Sequence, residues 1–84
     1  MAEMTLDVLL FADAAQACGT DRLSTACTEG TTVDQLLTLL IEHHPELAAK
    51  RKTIAVAVNE RYVECNHVLH RGDTVALIPP VSGG

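Results

Sequence analysis

Thr32-Val33-Asp34-Gln35-Leu36-Leu37-Thr38-Leu39-Leu40-Ile41-Glu42-His43-His44-Pro45 is the one stretch of this 84-residue chain with a sustained helical period. Val33, Leu36, Leu37, Leu40 and Ile41 recur at i, i+3, i+4, i+7 and i+8, which makes a single apolar stripe along one helix face. Thr32 and Gln35, three residues apart, have the form of a capping box. Pro45 disfavours the α region at the residue before it, so the helix should stop by His44. Glu46 to Lys50 has room for one more helical turn.

On either side of this helix the pattern changes to strands. Met4 to Phe11 alternates, with Leu6, Val8 and Leu10 on one face and Thr5, Asp7, Leu9 and Phe11 on the other. Ala12 to Cys18 is alanine-rich and favours a short helix, with Asp13 near its start and Gly19 where it would end. Asp21 to Cys27 reads as a second strand able to pair with the first, and Glu29-Gly30-Thr31 as a turn. After the helix, Ile54 to Val58 is a third strand with Ile54, Val56 and Val58 inward. Asn59-Glu60-Arg61 turns into a short strand at Tyr62-Val63-Glu64. A turn at Arg71-Gly72-Asp73, with Gly72 supplying positive φ, precedes the last strand, Thr74 to Ile78.

One long helix with strands on both sides, in so short a chain, predicts a single mixed sheet wrapped on that helix. The first and last strands are apolar on both faces and are candidates for its centre. The expected fold is therefore α+β, a ubiquitin-like β-grasp of about five strands. Residues 1–80 would form the domain and residues 81–84 a flexible C-terminal tail.

Composition narrows the functions. Only Phe11 and Tyr62 are aromatic among Phe, Tyr and Trp, so the core must be aliphatic. A formal charge of −5 argues against nucleic acid as partner, and the one basic cluster, Lys50-Arg51-Lys52, reads as a solvated loop. No apolar run reaches the length of a membrane span, and no signal-peptide pattern opens the chain, so the expectation is a cytoplasmic protein with no membrane partner. Cys18, Cys27 and Cys65 are odd in number and widely spaced, with no Cys-x-x-Cys, which points to reduced, mostly structural thiols.

The end of the chain, Pro79-Pro80-Val81-Ser82-Gly83-Gly84, has a chemistry of its own. Proline cannot donate a ladder hydrogen bond, so Pro79 and Pro80 should end pairing after Ile78. Val81 to Gly84 can extend about 13 Å from the body. Gly83 and Gly84 carry no side chain beyond Cα, so the segment is thin enough to enter a narrow tunnel. The group it would deliver is the α-carboxyl of Gly84. Beside it, the sheet face turned away from the helix would gather Leu9, Phe11, Ala55, Ala57, Ala76 and Ile78, with Tyr62 alongside. That is more apolar surface than a small monomer needs to expose, and it is expected to dock partners.

Other constellations are weaker. Cys65-x-His67-x-x-His70 lacks a fourth tetrahedral ligand, so no metal site is expected. His43 and His44 point about 100° apart on a helix and make no joint site. Cys65 and His67 have no third orienting group for a nucleophile pair. No phosphate-cradling glycine loop is present, so ATP is not expected to bind this chain.

With this layout in place, the sequence resembles the MoaD/ThiS β-grasp sulfur-carrier family, and within it the molybdopterin-synthase branch. The matching segments are Phe11-Ala12, Gly19-Thr20-Asp21, Thr32-Val33, Ala57-Val58-Asn59, His67-x-Leu69-x-x-Gly72-Asp73-x-Val75-Ala76 and Pro79-Pro80-Val81-Ser82-Gly83-Gly84. Leu10 stands where an aromatic residue is common in the family. The resemblance implies that an E1-like (MoeB-like) adenylyltransferase uses ATP to adenylate Gly84. A persulfide sulfur donor then converts the adenylate to a thiocarboxylate. That tail would enter the large subunit of molybdopterin synthase (MoaE-like) and donate sulfur to cyclic pyranopterin monophosphate.

Gly84 is thus implied as the reacting residue, and Pro79, Pro80, Val81, Ser82, Gly83, Ile78, Phe11 and Tyr62 as partner-binding residues. The catalytic groups would sit on the large subunit of a heterotetramer, and this chain would bind no cofactor. The residues also leave room for a carrier in thiamine, tRNA or amino-acid thiolation, for a ubiquitin-like modifier forming isopeptides, and for a β-grasp interaction module with an inert tail.

Overall fold

The computed structural model describes residues 2–80. Eight elements follow one another. Strand β1 (Glu3–Leu10) leads into helix α1 (Ala12–Cys18), strand β2 (Arg22–Thr28) and helix α2 (Val33–His43). A 3-10 turn (Pro45–Lys50) then precedes β3 (Ala55–Val58), β4 (Arg61–Val63) and β5 (Thr74–Ile78). The strands form one mixed sheet in the order β2-β1-β5-β3-β4. β1 and β5 run parallel, and every other neighbour pair is antiparallel. This is the ubiquitin-like β-grasp expected from the sequence, and the first and last strands sit side by side within it.

Helix α2 begins as its residues dictate. Thr32 Oγ1 accepts from the Gln35 N–H and the Gln35 side chain accepts from the Thr32 N–H, a complete capping box. Its chain-end donors are also met from elsewhere. The Val33 and Asp34 N–H groups donate to the carbonyls of His67 and Cys65, so the segment after β4 lies across the helix N-terminus. At the other end the helix stops at His43, and Pro45 opens the 3-10 turn.

The helix stripe of Val33, Leu36, Leu37 and Leu40 is buried against Met4, Leu6, Val8 and Leu10 of β1, Val56 and Val58 of β3, and Val75 and Leu77 of β5. Leu47 and Leu69 close the core from the 3-10 turn and the loop before β5. Filling such a core with branched aliphatics at near-crystalline density is what lets so short a chain hold one conformation.

Several expectations needed correction at element edges. Phe11 does not continue β1: it is the N-cap of α1, and Ala12 turns the chain at φ 48. The expected turn Asn59-Glu60-Arg61 is shorter, because Arg61 already pairs with Val58. Asn59 and Glu60 alone make the loop, both at positive φ (52 and 71), the geometry of a two-residue hairpin whose twist matches its strands. β4 accordingly spans Arg61–Val63 instead of Tyr62 to Glu64, and β2 starts and ends one residue later than its pattern suggested.

Candidate functional site

The face of the sheet away from α2 can be followed residue by residue from the pairing register. Arg22 of β2 lies opposite Leu9 of β1, Leu9 opposite Ala76 of β5, Ala76 opposite Ala57 of β3, and Ala57 opposite Tyr62 of β4. One continuous row thus crosses all five strands, and its four members from Leu9 to Tyr62 carry no charge. The next row toward the end of β5 pairs Ile78 with Ala55.

Leu9, Ala76 and Ile78 are half-buried and Ala55 is exposed. Tyr62 is 72% exposed and Phe11 47%, high values for aromatic side chains of a monomer. Ala57 is only 6% exposed yet packs with none of the core residues. Its methyl belongs to the outer face and is screened by its own neighbours. The expected patch is therefore present, and the alternation of β1, β3 and β5 lies in the predicted phase.

Phe11 reaches this patch one step past the end of β1, with its backbone still extended. Its backbone N–H donates to the Leu77 carbonyl at 3.3 Å, continuing the β1–β5 contact one step past the last strand residue. The left-handed turn at Ala12 then carries the chain into α1, whose Ala14 is fully buried. Pro79 is buried and Pro80 exposed, so the described chain ends beside Phe11 and Ala55. Val81, Ser82, Gly83 and Gly84 lie outside the described residues.

The rim of the face is charged. Arg22 bonds Asp7 across the β1–β2 pair at 3.1 Å, with both side chains largely in water, so the pair orients the rim and adds little stability. Asn59 ties the rim near β4 and β5: its Nδ2 donates to Asp73 at 2.8 Å, and its Oδ1 accepts from the Thr74 N–H at 3.0 Å. Asp73 in turn accepts from the His70 N–H at 2.8 Å. These bonds fix the two turns beside the patch.

The other residues considered in the sequence fall apart in space or do structural work. Cys65 is exposed and His67 half-buried, and both serve α2 through their backbone carbonyls. Among the described residues no three of His, Cys, Asp or Glu gather as a metal site would require. The three cysteines are free. Burial pushes the Cys18 thiol up, helped by the nearby Glu46 carboxylate. Burial also raises Cys27, although a hydrogen bond with Thr31 opposes the shift. Among the described residues no helix is long and apolar enough to cross a membrane.

One feature had no sign in the sequence. A groove of about 850 Å³ opens between the first half of α2 and β4, lined by Val33, Leu37, Ile54, Val63 and Cys65 among others. It exists because the segment after β4 folds back over the helix N-terminus, a long-range contact that local pattern does not encode.

A small β-grasp domain with an uncharged row across its outer face and its last strand at the centre of the sheet defines the class of ubiquitin-like domains. The model of the ThiS family matches residues 8–84, and the chain belongs to that family. A molybdopterin synthase sulfur carrier subunit of Chlamydomonas reinhardtii is 36% identical over 83 residues, covering 96% of this chain and all of that protein. Among solved structures, a putative molybdopterin converting factor subunit 1 from Pyrococcus furiosus superposes with a TM-score of 0.84 at 28% identity, covering 93% of this chain and 99% of that one. The small archaeal modifier protein 1 of H. volcanii superposes with a TM-score of 0.81 at 26% identity, with coverage of 93% and 99%.

Proposed function

We propose that this chain is the sulfur carrier subunit of a molybdopterin synthase, with the Gly84 carboxyl as the group that carries sulfur. The observation that carries the reading is near full-length similarity to a relative of that name, 36% identical across its whole length. The physical layout agrees with the role. A carrier must offer a surface that several enzymes can hold and a slender end that reaches their catalytic groups. Here an uncharged row from Leu9 to Tyr62 runs beside the point where Pro79 and Pro80 leave the sheet.

A carboxylate is a poor electrophile, so the reaction begins by making Gly84 a better one. An E1-like enzyme joins the Gly84 carboxylate to the AMP portion of ATP and releases pyrophosphate. The terminal sulfur of a persulfide donor then attacks the adenylate and AMP leaves, giving an acyl disulfide. A thiol attacks the donor's sulfur, forms a disulfide with it and releases the end as a thiocarboxylate. Inside the large subunit that sulfur attacks cyclic pyranopterin monophosphate. This chain binds no cofactor in the scheme: ATP belongs to the activating enzyme, and acid–base groups to the large subunit. Gly84 acts as a carried nucleophile. Gly83 and Ser82 pass through the tunnel, while Val81, Pro80, Pro79, Ile78, Phe11 and Tyr62 meet the partner. The reading carries with it a cytoplasmic location and a heterotetramer built on two large subunits.

Intact mass of the chain, after incubation with its host's E1-like enzyme, ATP, a persulfide donor and a thiol reductant, tests the assignment. The expected gain equals the exchange of one oxygen for one sulfur and localises to the C-terminal peptide. No gain, with the enzyme shown active on another carrier, would contradict it. The likeness to an archaeal modifier protein supports a second reading, in which the activated Gly84 forms an isopeptide with a lysine amine. Loss of water in a covalent adduct with another protein would identify that outcome.

A further inference from the structure

The outer edge of β2 is the end of the sheet, and its hydrogen-bonding groups are closed at both ends and open in the middle. The Asp21 carbonyl accepts from Leu10 and the Glu29 N–H donates to Ala2, so these odd-numbered residues point their backbone groups toward β1. Antiparallel alternation then turns Arg22, Ser24, Ala26 and Thr28 to the free edge. The register with β1 runs unbroken from Glu3 opposite Thr28 to Leu9 opposite Arg22, so no bulge twists the edge away.

Side chains close two of those four positions. Thr20 Oγ1 accepts from the Arg22 N–H at 3.4 Å and donates to the Arg22 carbonyl at 3.2 Å. The Thr28 carbonyl accepts from the Thr31 hydroxyl at 2.6 Å and from the Thr31 N–H at 3.1 Å. Ser24 and Ala26 are left, both exposed, with N–H and C=O unpaired among the described residues. From Leu23 to Thr28 the strand has no charge and no proline, and the one charged member, Arg22, is held to Asp7 at 3.1 Å. These are the features that natural edges use to repel another strand, and this edge lacks them. The opposite edge, β4, is three residues long and begins with Arg61.

We propose that β2 pairs antiparallel with β2 of a second copy of this chain, about a two-fold axis through Thr25. In that register Ser24 of one copy lies opposite Ala26 of the other, and the reverse, so every open group in the window finds a partner. Thr25 meets Thr25 on the helix side, a favourable cross-strand pair of β-branched side chains. A second copy fits better than a long strand of another protein, because a longer strand would run onto the positions already closed by Thr20 and Thr31. Only two residues per copy contribute, so the association is weak and reversible. It leaves the outer face around Ala76 and the end of β5 free, since β5 lies two strands in from this edge.

Sedimentation of the full chain over a concentration series up to about 1 mM, with backbone amide shifts followed in parallel, tests this. The expected result is a monomer–dimer equilibrium whose shift changes centre on Ser24, Thr25 and Ala26. Ala26→Pro removes an outward N–H from each copy while leaving the bonds to β1, and should weaken the dimer about tenfold. Ser24→Lys keeps the N–H but sets like charges near each other across the axis, and should weaken it as well. A chain that stays monomeric throughout would overturn the proposal. So would self-association that both variants leave unchanged while they keep the wild-type circular dichroism and melting temperature, or shift changes centred on Tyr62 and Ala76.

Discussion

The Phe11 N–H donates to the Leu77 carbonyl at 3.3 Å, two residues before Pro79, so the end of the first strand is tied to the point where the last strand leaves the sheet. Through this bond the exposed ring of Phe11 and the start of the C-terminal segment share one position. Under the proposed function, a partner that held the outer face would also hold the base of that segment, which lowers the entropy lost on docking.

Phe11 and Tyr62 project from the face and support little of the core, so truncating either one should separate binding from stability. Phe11→Ala and Tyr62→Ala are each expected to change folding stability by no more than about 0.5 kcal/mol, as surface substitutions do. Each should weaken capture by the large subunit by about 2 kcal/mol if it anchors the interface. Urea melts and titration calorimetry on the same preparations measure the two effects.

Leu36 is fully buried at the centre of the helix stripe. Leu36→Ala removes packing within the core cluster and leaves a cavity, at a cost of about 2–5 kcal/mol. For so small a domain that is a large share of its stability, and the midpoint of urea unfolding should fall accordingly. Leu39, half-buried on the same helix, should cost clearly less when truncated.

Thr32→Ala removes the acceptor for the Gln35 N–H and breaks the capping box. The expected loss is about 1 kcal/mol, and Thr32→Ser should restore most of it, because the hydroxyl is what the cap uses. Chemical denaturation of the pair of variants decides between a capping role and a packing role.

The thiols should react in an order set by burial. Cys65 is exposed, whereas Cys27 is buried and Cys18 half-buried. Burial raises the pKa of both Cys18 and Cys27, so at neutral pH less of each is the reactive thiolate than for an ordinary thiol. Alkylation of the native protein should label Cys65 first. Labelling of Cys18 and Cys27 should quicken as pH rises toward their elevated pKa values, as mass spectrometry of a timed series would show.

Much of this architecture could be read before any coordinates. The alternation of Leu6, Val8 and Leu10, the stripe from Val33 to Ile41 and the capping residues Thr32 and Gln35 are local patterns with one physical solution each. The outer face was legible for the same reason, since the register of β1, β3 and β5 follows from which alternate residues are large and apolar. The misreadings share a cause. Phe11 looks like a strand residue until α1 must start, and Arg61 looks like a turn residue until two positive-φ residues prove enough to reverse the chain. The return of residues Cys65 and His67 to the N-terminus of α2 is made by backbone bonds between distant segments, which no periodicity records. Gly84 and its neighbours are marked by residue type and resemblance alone, and they lie outside the described residues.

Sulfur delivery by this chain in molybdopterin synthesis can be followed in a single turnover. The thiocarboxylate form is mixed with the large synthase subunit and cyclic pyranopterin monophosphate, and carrier mass and pterin product are followed together. The carrier is expected to return to the carboxylate mass as the dithiolene product forms, with two carriers consumed for each product. A thiocarboxylate that persists in the presence of an active large subunit, yet is discharged by a different sulfur acceptor or by a lysine amine, would contradict it.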